Sequence, residues 1–592
     1  MKLINDVHQQ FAAYFPKPKL RPYIYILSRK LSEGHICVAI NDIDPEELSA
    51  AGYPEKIDED SLKTENLVSD GHLMAPFVLL NDRLYLQRYF NYEGIILNRI
   101  KDFVAKEKID NPQNLQIIQE QTASIKQIIH EGAQNNTGGT NWQMVAIISA
   151  LLNNFTIITG GPGTGKTTTV AKILSILFTQ NPSLKVALTA PTGKAAARMK
   201  ESLENARDLS PAIKNIFNQL QPSTIHRLLG VNKNSPHFKF NIENPLQFDL
   251  VIVDESSMID VALFAKFLSA IAPTTKLILL GDKDQLASVE AGSLFGDLCQ
   301  AQPELNMLSN ERAIIINNFI ASAQHKVGEQ NISNNAAHPL FQHIIELQQS
   351  HRFSDDKGIG KFSKAIINNQ LPAIEYFFKN SDDQVSIDGT YSEKIFQQFI
   401  AGYKAFITEP DILEALKKIN NLRVLCAVRE GDQGLYAINK KIESYLVQQR
   451  LLNITGDFYN NRPIMLTSNN IELQLFNGDI GLVRPDLDGV LKAWFQTGKE
   501  EIKAVLPGYI SNAETVFAMT IHKSQGSEFN KVLVILPKGE DIKLLTRELL
   551  YTAVTRAKES LLLQGTEATI LQTSKAFVQR CSGIIERFKE NN

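Results

Sequence analysis

Short apolar runs alternate with amphipathic stretches along most of the chain after Asn141. The first four runs are rich in Ile, Val and Leu, and they occupy residues 155–158, 186–188, 250–253 and 277–280. Buried strands that alternate with helices are typical of a parallel sheet with helices on both faces. We therefore predict an α/β domain here, with its ligands bound at the carboxyl ends of the strands.

A second alternating region predicts a second parallel sheet. Its runs occupy residues 423–427, 516–520, 532–536 and 560–563. Between the first two of these runs lies a stretch with the strand and turn signals of antiparallel structure. Those signals fall at residues 463–467, 478–483, 490–495 and 502–506. We predict a small β-barrel inserted into the second sheet domain at about residues 460–512.

The first 110 residues carry apolar side chains at helical spacing. One group is Leu79, Leu80, Leu84 and Leu86, and a later group is Ile95, Ile96, Leu97 and Ile100. They predict a small, mainly helical domain. Residues 111–140 are polar and end in Asn-Asn-Thr-Gly-Gly-Thr, which indicates a linker.

These patterns predict three domains. They are an N-terminal helical domain at residues 1–110, a first sheet domain at 111–350 and a second sheet domain at 351–592. The segment 305–339 is rich in Asn, Ser and Gln, and we interpret it as a surface excursion with one short helix and no assigned role.

Composition excludes several classes of protein. With 43% hydrophobic and 21% charged residues over 592 positions, the chain is typical of a soluble multidomain protein. Its net charge of −3 gives no overall basic field, so any nucleic acid must bind along a local track. The four cysteines are scattered without a CxxC pair, which indicates neither zinc nor a disulfide framework. Without a signal peptide or a run of ~18 apolar residues, we expect a cytoplasmic protein with no membrane partner.

A glycine-rich loop follows the first apolar run. It consists of Gly160, Gly161, Pro162, Gly163, Thr164, Gly165, Lys166 and Thr167. Its glycines allow successive N–H groups to point at phosphate oxygens, and the following helix adds its positive N-terminal end. Lys166 is placed to reach the β- and γ-phosphates, and the Thr167 hydroxyl is placed to bind Mg²⁺. The loop predicts a nucleoside triphosphate site.

Two further strand ends supply groups for hydrolysis. Asp254 and Glu255 end the run 249–253, and we assign Asp254 to Mg²⁺ and Glu255 to the general base that polarises the attacking water. Gln285 follows the run 277–280, and we assign its amide to sensing the γ-phosphate. A plain polar turn at Gln285 is the alternative.

Hydrolysis also requires positive charge on the γ-phosphate in the transition state. Arg352 and Arg556 are the candidates, although each in isolation resembles a solvated surface arginine. If both belong to the second sheet domain, the nucleotide lies in a cleft between domains. Its hydrolysis would then move one domain against the other, as in a motor.

Three other motifs are suited to a nucleic-acid backbone. Each combines hydroxyl or imidazole donors with cations near the end of a predicted strand. The candidates are Thr192, Lys194, Thr224, His226, His522 and Lys523. A capped helix start would give a similar pattern at each motif.

The order of these motifs from Asn141 to about Leu563 closely resembles superfamily 1 helicases, and within them the RecD family, the alpha subunits of exodeoxyribonuclease V. The segments that carry the resemblance are 160–169, 190–198, 224–230, 253–260, 281–297, 428–431, 475–481, 519–529 and 547–558.

The resemblance implies two tandem RecA-like domains and an ATP-driven motor that moves 5′→3′ on single-stranded DNA. It implies a heterotrimer with beta and gamma subunits, which unwinds and degrades duplex DNA ends in recombinational repair, with the nuclease in the beta subunit. It also implies that Gln143 contacts the adenine base and that residues 1–110 bind the gamma subunit.

Two alternatives stay open. A stand-alone 5′→3′ helicase of the longer RecD-like group would carry an extended N-terminal helical region, and about 140 residues precede the nucleotide motifs here. A regulatory subunit with a degenerate nucleotide site is disfavoured by the intact catalytic positions, Lys166 and Glu255 among them.

Overall fold

The computed structural model describes most of the chain. The described residues are 6–54, 60–130, 139–207, 209–232, 235, 237–288, 290–292, 294–302, 304–333, 338–354, 356–470, 472–498, 500–539 and 543–590.

The N-terminal domain combines short helices with a small sheet. Its helices are α1 (Val7–Tyr14), α2 (Arg21–Ser32), α3 (Pro45–Ala50) and α4 (Asp60–Thr64). Its strands are β1 (Cys37–Ala39), β2 (Val68–Ser69), β3 (Phe77–Leu80) and β4 (Arg83–Leu86), in the order β1-β4-β3-β2. The domain is mainly helical as predicted, and the sheet is an addition to that prediction.

The interpretation of Leu79, Leu80, Leu84 and Leu86 as helical was wrong, because they lie in β3 and β4. Asn81 and Asp82 have φ of 49° and 56°. Two consecutive left-handed residues make the tight turn of a two-residue hairpin, and Asn and Asp tolerate that conformation. The chain reverses between the leucines, so their spacing across the turn imitates a helix.

The predicted boundary at residue 110 falls inside one long helix, α5 (Gln87–Glu120), which contains Ile95, Ile96, Leu97 and Ile100 as predicted. The Phe103 ring of α5 stacks on Phe155 of the first parallel sheet, with centroids 6.1 Å apart. Arg99 of α5 donates to the backbone of Leu268 and Ile271 in the same sheet domain. The N-terminal domain therefore ends at Leu86.

The predicted linker was also wrong over residues 111–130. These residues complete α5 and form α6 (Thr122–His130). Polar side chains on this stretch cover the solvent side of helices whose apolar side, including Ile118 and Ile125, is buried in the first sheet domain. The rest of the predicted linker, residues 131–138, lies outside the described residues.

The first sheet domain has six parallel strands in the order β10-β5-β9-β8-β6-β7. Its elements are α7 (Trp142–Leu152), β5 (Phe155–Thr159), α8 (Lys166–Gln180), β6 (Val186–Ala190), α9 (Gly193–Glu204), α10 (Pro211–Gln219), β7 (Ser223–Thr224), α11 (Ile225–Leu229), β8 (Leu250–Val253), α12 (Val261–Ala270), β9 (Lys276–Gly281), α13 (Leu294–Ala301), α14 (Asn310–Asn317) and β10 (Ile344–Glu346).

Both faces of this sheet are buried. In β5, Ile158 packs into the core on one face and Ile157 into the core on the other. Ile252 and Val251 of β8 divide in the same way. A strand buried on both faces needs a continuous apolar run, which explains the runs in the sequence.

The interpretation of residues 305–339 as a surface excursion was wrong for most of that segment. Helix α14 packs against α7. Leu308, Ile316, Phe319 and Val327 are buried in the core of the first sheet domain. Residues 334–337 lie outside the described part of the chain.

The second sheet domain has five parallel strands in the order β11-β20-β19-β12-β18. Up to the insertion its elements are α15 (Gly358–Ile367), α16 (Leu371–Lys379), β11 (Val385–Asp388), α17 (Glu393–Ile400), α18 (Lys404–Ile407), α19 (Ile412–Ile419), β12 (Leu422–Cys426) and α20 (Leu435–Gln448).

An antiparallel sheet is inserted between β12 and β18. Its strands are β13 (Pro463–Leu466), β14 (Ile480–Pro485), β15 (Leu491–Gln496), β16 (Ile502–Val505) and β17 (Ala513–Thr515), in the order β16-β15-β14-β13-β17. The insertion was predicted at this place. Among the described pairings, however, the edge strands β16 and β17 do not join, so the sheet is open rather than a closed barrel.

After the insertion the chain completes the second sheet and returns to the start of the molecule. The elements are β18 (Ala518–Thr520), β19 (Phe529–Ile535), α21 (Arg547–Val554), β20 (Ala557–Gln564), α22 (Glu567–Lys575) and α23 (Ile584–Glu590). Helix α23 leaves the second sheet domain and packs against α13 and α5.

Candidate nucleotide site and nucleic-acid interface

The glycine-rich loop connects β5 to α8. Gly163 and Gly165 have φ of 79° and 87°, in the left-handed region that favours glycine. A Cβ atom on Gly163 would lie 2.4 Å from Cβ of Arg352, and one on Gly165 would lie 2.1 Å from Nε2 of Gln143. Both positions therefore require glycine, and the loop ends at a helix N-terminus, which favours an anion.

Lys166 and Thr167 are the first two residues of α8. The Lys166 ammonium donates to the carbonyl oxygens of Gly160 and Gly161, at 2.5 and 3.2 Å. These contacts hold the Lys166 side chain over the loop, where a bound phosphate would replace backbone carbonyls as its partner.

Gln143 lies in the first turn of α7, beside the same loop. Its amide nitrogen donates to the carbonyl oxygen of Thr164 at 3.0 Å and lies 3.2 Å from Nε2 of His351. The backbone N–H of His351 in turn donates to the carbonyl of Gly163 at 2.8 Å. The segment that follows β10 is thereby attached to the phosphate loop.

The two carboxylates assigned to metal and base follow β8. Burial, together with the negative charge of Glu255, raises the pKa of Asp254 to about 6, and the Lys166 charge acts in the opposite direction. Glu255 has a φ of 52°, a left-handed conformation that is unfavourable for a glutamate. Its N–H donates to Oδ1 of Asp254 at 2.8 Å, so the turn holds the two carboxyl groups together.

Gln285 lies at the junction of the two sheet domains. Its amide nitrogen donates to Oδ2 of Asp282 at 2.9 Å, and the Tyr551 hydroxyl donates to the same oxygen at 3.2 Å. The next residue, Leu286, donates its N–H to Oγ1 of Thr552 at 3.0 Å and accepts from Nε2 of Gln525 at 2.8 Å. The Gln285–Leu286 segment is therefore hydrogen-bonded directly to α21 and to the turn before β19.

The two arginines approach the site from different places. Arg352 lies on the connection after β10, against the phosphate loop, and not within the second sheet. Its Nη2 contacts Oε1 of Glu528 at 2.7 Å, while its Nη1 is buried without a hydrogen-bond partner among the described residues. Arg556 follows α21 in the second sheet domain and donates to the carbonyls of Thr552 and Ser527, at 3.1 and 3.0 Å.

Glu528 is a residue to which the sequence analysis assigned no role. It pairs with Arg198 of α9 at 2.9 Å, with Arg352 at 2.7 Å and with Lys558 at 3.5 Å. Burial alone would raise its pKa, but the charges of Arg198 and Arg352 lower the pKa of Glu528 to about 2. It is a fixed negative charge between the two domains, and its position inside the segment 519–529 was the available signal.

One cavity of about 760 Å³ collects these groups. It is lined by Gln143, Pro162, Gly163, Thr164, Gly165, Lys166, Thr167, Asp254, Glu255, Gln285, Arg352 and Arg556, among others. The residues predicted for the nucleotide, the metal and catalysis are thus brought together, apart from Gly160 and Gly161, whose carbonyls bind Lys166.

Two of the predicted nucleic-acid contacts are also helix caps. Thr192 accepts from the N–H of Ala195 at 3.2 Å, and Thr224 accepts from the N–H of Arg227 at 3.3 Å. Strands β6 and β7 are neighbours, with Ala190 paired to Thr224, so the two caps lie at one edge of the sheet. As acceptors in these bonds, both hydroxyls keep their own protons for donation.

Lys194 and Lys523 lie on opposite sides of the domain junction. Burial, reinforced by the positive charge of Arg423, lowers the pKa of Lys194 to about 7. Lys523 follows β18 and donates to Oδ1 of Asn477 at 2.9 Å. His226 is exposed and His522 is half-buried.

Phe476 and Asn477, in the loop between β13 and β14, connect these segments. Cβ of Phe476 lies 3.3 Å from the position that a Cβ on Gly193 would occupy. The Arg227 guanidinium lies over the Phe476 ring, 5.4 Å from its centroid. With Asn477 bonded to Lys523, this loop contacts all three predicted nucleic-acid segments. The motif 475–481 carries part of the family resemblance, but Phe476 had no predicted role.

The described residues provide neither a separate metal cluster nor a membrane span. They contain no group of three or more His, Cys, Asp and Glu side chains suited to a metal ion. In the same part of the chain, no helix combines the length and the apolar character that crossing a bilayer requires.

Three family models match the chain. The AAA domain matches residues 143–291, the UvrD-like helicase C-terminal domain matches 515–564, and the N-terminal domain of RecBCD enzyme subunit RecD matches 2–85. The first two fall on the two sheet domains that enclose the cavity. Fold, cavity and models together define an ATP-dependent DNA helicase of superfamily 1.

Individual relatives identify the family within this class of helicases. RecBCD enzyme subunit RecD of Haemophilus influenzae is 35% identical over 554 residues, which cover 88% of this chain and 82% of the relative. RecD of Mycolicibacterium smegmatis is 34% identical over 470 residues, which cover 76% and 75%. The chain belongs to the RecD family, the helicase subunits of RecBCD-type complexes.

More distant proteins are similar over parts of the chain. The ATP-dependent RecD2 DNA helicase of Deinococcus radiodurans is 25% identical over 455 residues, which cover 76% of this chain and 53% of the relative. A crystal structure of Bacteroides Pif1 bound to single-stranded DNA is 16% identical, covers 74% of this chain and 94% of its own, and superposes with a TM-score of 0.40.

Proposed function

We propose that this chain is a motor that moves 5′→3′ along single-stranded DNA within a heterotrimer with beta and gamma subunits. In that complex it unwinds duplex DNA ends for recombinational repair. The observation that carries the motor mechanism is the direct hydrogen bonding of the Gln285–Leu286 segment, beside the nucleotide cavity, to Thr552 and Gln525 of the second sheet domain.

The donor set of the cavity fits ATP with Mg²⁺. A carboxylate on Asp254 and a hydroxyl on Thr167 are hard oxygen ligands of the kind that Mg²⁺ prefers. When bound there, Mg²⁺ would neutralise charge on the phosphates. Glu255 would accept a proton from the attacking water, and Lys166 would exchange its loop carbonyls for phosphate oxygens. Gln143 would orient the adenine.

Arg352 and Arg556 would supply positive charge to the γ-phosphate. The unpaired Nη1 of Arg352 supports this role, because a buried donor without an acceptor is costly and a phosphate oxygen would satisfy it. Arg556 comes from the second sheet domain, so its approach depends on domain closure. Hydrolysis would release that attraction and let the domains separate.

The DNA would run across the domain junction, along Thr192, Lys194, Thr224, His226, His522 and Lys523. These side chains offer hydroxyl, imidazole and ammonium groups to phosphates and sugars, so binding should be nearly independent of sequence and weaken steeply with salt. The loop that carries Phe476 would close this track from the side of the inserted sheet.

The N-terminal domain would hold the gamma subunit. It has its own core, around Leu20, Tyr23, Ile24 and Phe77, and its described residues include none of those that line the nucleotide cavity. The match of residues 2–85 to the RecD N-terminal domain favours the complex-bound form over a stand-alone helicase.

The test uses the purified chain and partial duplexes that differ only in the polarity of their single-stranded tail. We expect ATP hydrolysis to be stimulated by single-stranded DNA and unwinding to require a 5′ tail. Lys166→Gln should abolish both activities and serves as the control for contaminating enzymes. Unwinding from a 3′ tail would refute the proposed 5′→3′ direction. ATP hydrolysis that single-stranded DNA does not stimulate would support the regulatory alternative. Co-purification with two large partners separates the subunit from a stand-alone helicase.

A further inference from the structure

The C-terminal segment at residues 578–588, called here the C-terminal strap, fastens the N-terminal domain to the first sheet domain. The Arg580 guanidinium donates to the backbone carbonyls of Ser288, Glu290 and Gly292, at 2.7, 3.2 and 3.0 Å. Further along, Arg587 pairs with the buried Glu93 of α5 at 3.0 Å. The strap is therefore held by charged contacts at both ends.

Two of the four cysteines meet at the centre of this strap. Sγ of Cys37 in β1 lies 3.1 Å from Sγ of Cys581, although the two residues are 544 positions apart. The backbone fixes this approach independently of the sulfur atoms. The N–H of Ile36 donates to the carbonyl of Cys581 at 3.1 Å, and the N–H of Cys581 donates to Nδ1 of His35 at 3.0 Å.

The two thiols differ in reactivity. Cys581 is partly exposed, and Cys37 is buried. The hydrogen bond with Cys37 and the charge of Arg83 lower the pKa of Cys581 to about 7, so much of it is thiolate at neutral pH. Burial raises the pKa of Cys37 well above the ordinary thiol value. A partly exposed thiolate beside a protonated thiol is the arrangement of an attacking and a resolving cysteine.

We propose that Cys37 and Cys581 form a redox site at which a peroxide forms a disulfide that ties the C-terminal strap to the N-terminal domain. The Cys581 thiolate attacks a peroxide oxygen, the O–O bond breaks, and Cys581 becomes a sulfenic acid while the leaving hydroxide is protonated to water. The Cys37 sulfur then attacks the Cys581 sulfur, an S–S bond forms, and the displaced hydroxide takes the Cys37 proton to leave as water. Two thiols lose two electrons and two protons to one hydrogen peroxide, which becomes two waters.

The consequence follows from the position of the bond. A cross-link between residues 37 and 581 closes almost the whole chain into a ring and removes freedom from the unfolded state. It also prevents the strap from leaving the N-terminal domain, even if its ion pairs break. Because thiols reduce such a bond by exchange, the site would respond reversibly to oxidant.

The experiment treats the reduced full-length chain with a small excess of hydrogen peroxide, blocks free thiols and digests the chain for mass spectrometry. We expect a peptide pair joined through Cys37 and Cys581, faster migration on a non-reducing gel, and loss of both signals after dithiothreitol. Cys37→Ala and Cys581→Ala should each abolish the faster band. Cys299→Ala and Cys426→Ala are the matched controls, because both residues are buried in the sheet-domain cores, and they should leave it unchanged.

A second measurement uses the wild-type chain, so that the proposal can still be tested if a cysteine variant fails to fold. In the wild-type chain, the midpoint of thermal unfolding should rise after peroxide and return after dithiothreitol. Peroxide that yields a sulfinic acid at Cys581 without the linked peptide would overturn the proposal. So would a linked peptide that forms only after the chain has been unfolded in urea.

Discussion

Glu255 is the residue on which hydrolysis is expected to depend most directly. Glu255→Gln keeps the size of the side chain and its position in the left-handed turn but removes the base. We expect ATP to bind nearly as well while turnover falls by about 10²-fold or more, as general-base removal typically does. Nucleotide binding by fluorescence and steady-state ATPase assays measure the two effects separately.

The control for this change is Lys166→Gln, which should weaken both binding and turnover because we propose that Lys166 contacts the phosphates themselves. If Glu255→Gln hydrolysed ATP at the parental rate, another group would be the base. Asp254 is the adjacent carboxyl, bonded to the Glu255 backbone.

We expect Lys194 to make the binding of single-stranded DNA depend on pH. Burial and the nearby Arg423 lower its pKa to about 7, so the free protein loses this positive charge as pH rises through neutrality. A DNA phosphate favours the charged form, so affinity for single-stranded DNA should fall between pH 6 and pH 8. Partial desolvation by neighbouring groups lowers the pKa of His226 and of His522 below the ordinary histidine value, so in the free protein both lose their charge at a lower pH than Lys194 does.

The measurement is the dissociation constant for a short single strand as a function of pH at fixed ionic strength. Lys194→Arg keeps its charge throughout and should flatten the profile while retaining affinity. Lys194→Met should flatten it at low affinity. A pH dependence that persisted in both variants would assign the effect to another group.

At the scale of the element, we expect the loop between β13 and β14 to determine whether the inserted sheet contributes to the proposed DNA track. Phe476→Ala removes the ring from beneath Arg227 and from its contact with Gly193. We expect affinity for single-stranded DNA to fall by roughly 5- to 100-fold, the range for losing an aromatic platform, with ATP affinity unchanged. Fluorescence anisotropy with labelled oligonucleotides measures the change.

Tyr509→Ala is the matched control on the same insertion. Tyr509 is an aromatic residue that is 67% exposed, so its removal should leave DNA binding at the parental level. Equal losses in the two variants would mean that the effect arises from general destabilisation of the inserted sheet. The DNA track would then lie on the two sheet domains alone.

At the scale of the whole molecule, the end of the N-terminal domain at Leu86 changes how its role should be tested. Deleting residues 1–110 would cut α5 and remove Phe103 from its stack on Phe155, so the motor itself would be damaged. Deleting residues 1–86 leaves α5 in place. We expect this truncated chain to lose assembly with the beta and gamma subunits while its DNA-stimulated ATPase remains close to the parental rate.

Co-purification with tagged partner subunits measures assembly, and the ATPase rate of the isolated chain reports on the motor. Normal assembly of the truncated chain would move the docking role to another surface. The truncation also removes Arg83 and Cys37, which contact the C-terminal strap. Arg587→Ala therefore serves as a control that loosens the strap while the N-terminal domain stays present.

The sequence by itself determined the parts of this protein that depend on local pattern. Continuous apolar runs specify strands buried on both faces, so the two parallel sheets and the position of the insertion could be predicted. Gly163, Gly165 and Lys166 specify a phosphate loop because their conformations and charge are needed within a few residues of one another. Predictions from local spacing were wrong at the hairpin turn of Asn81 and Asp82, where the chain reverses. They were also wrong along α5 and α6, where polar residues cover the outer side of the helices.

The tertiary structure decided which distant residues act together. Arg352 lies against the phosphate loop, Glu528 holds Arg198 and Arg352, and Cys37 meets Cys581, none of which has a periodic signature. Such contacts depend on how two sheets and the returning C-terminal strap pack, and packing is set by surfaces built from many separate segments. The identity of each residue was therefore visible in the sequence, while its partner was visible only in the fold.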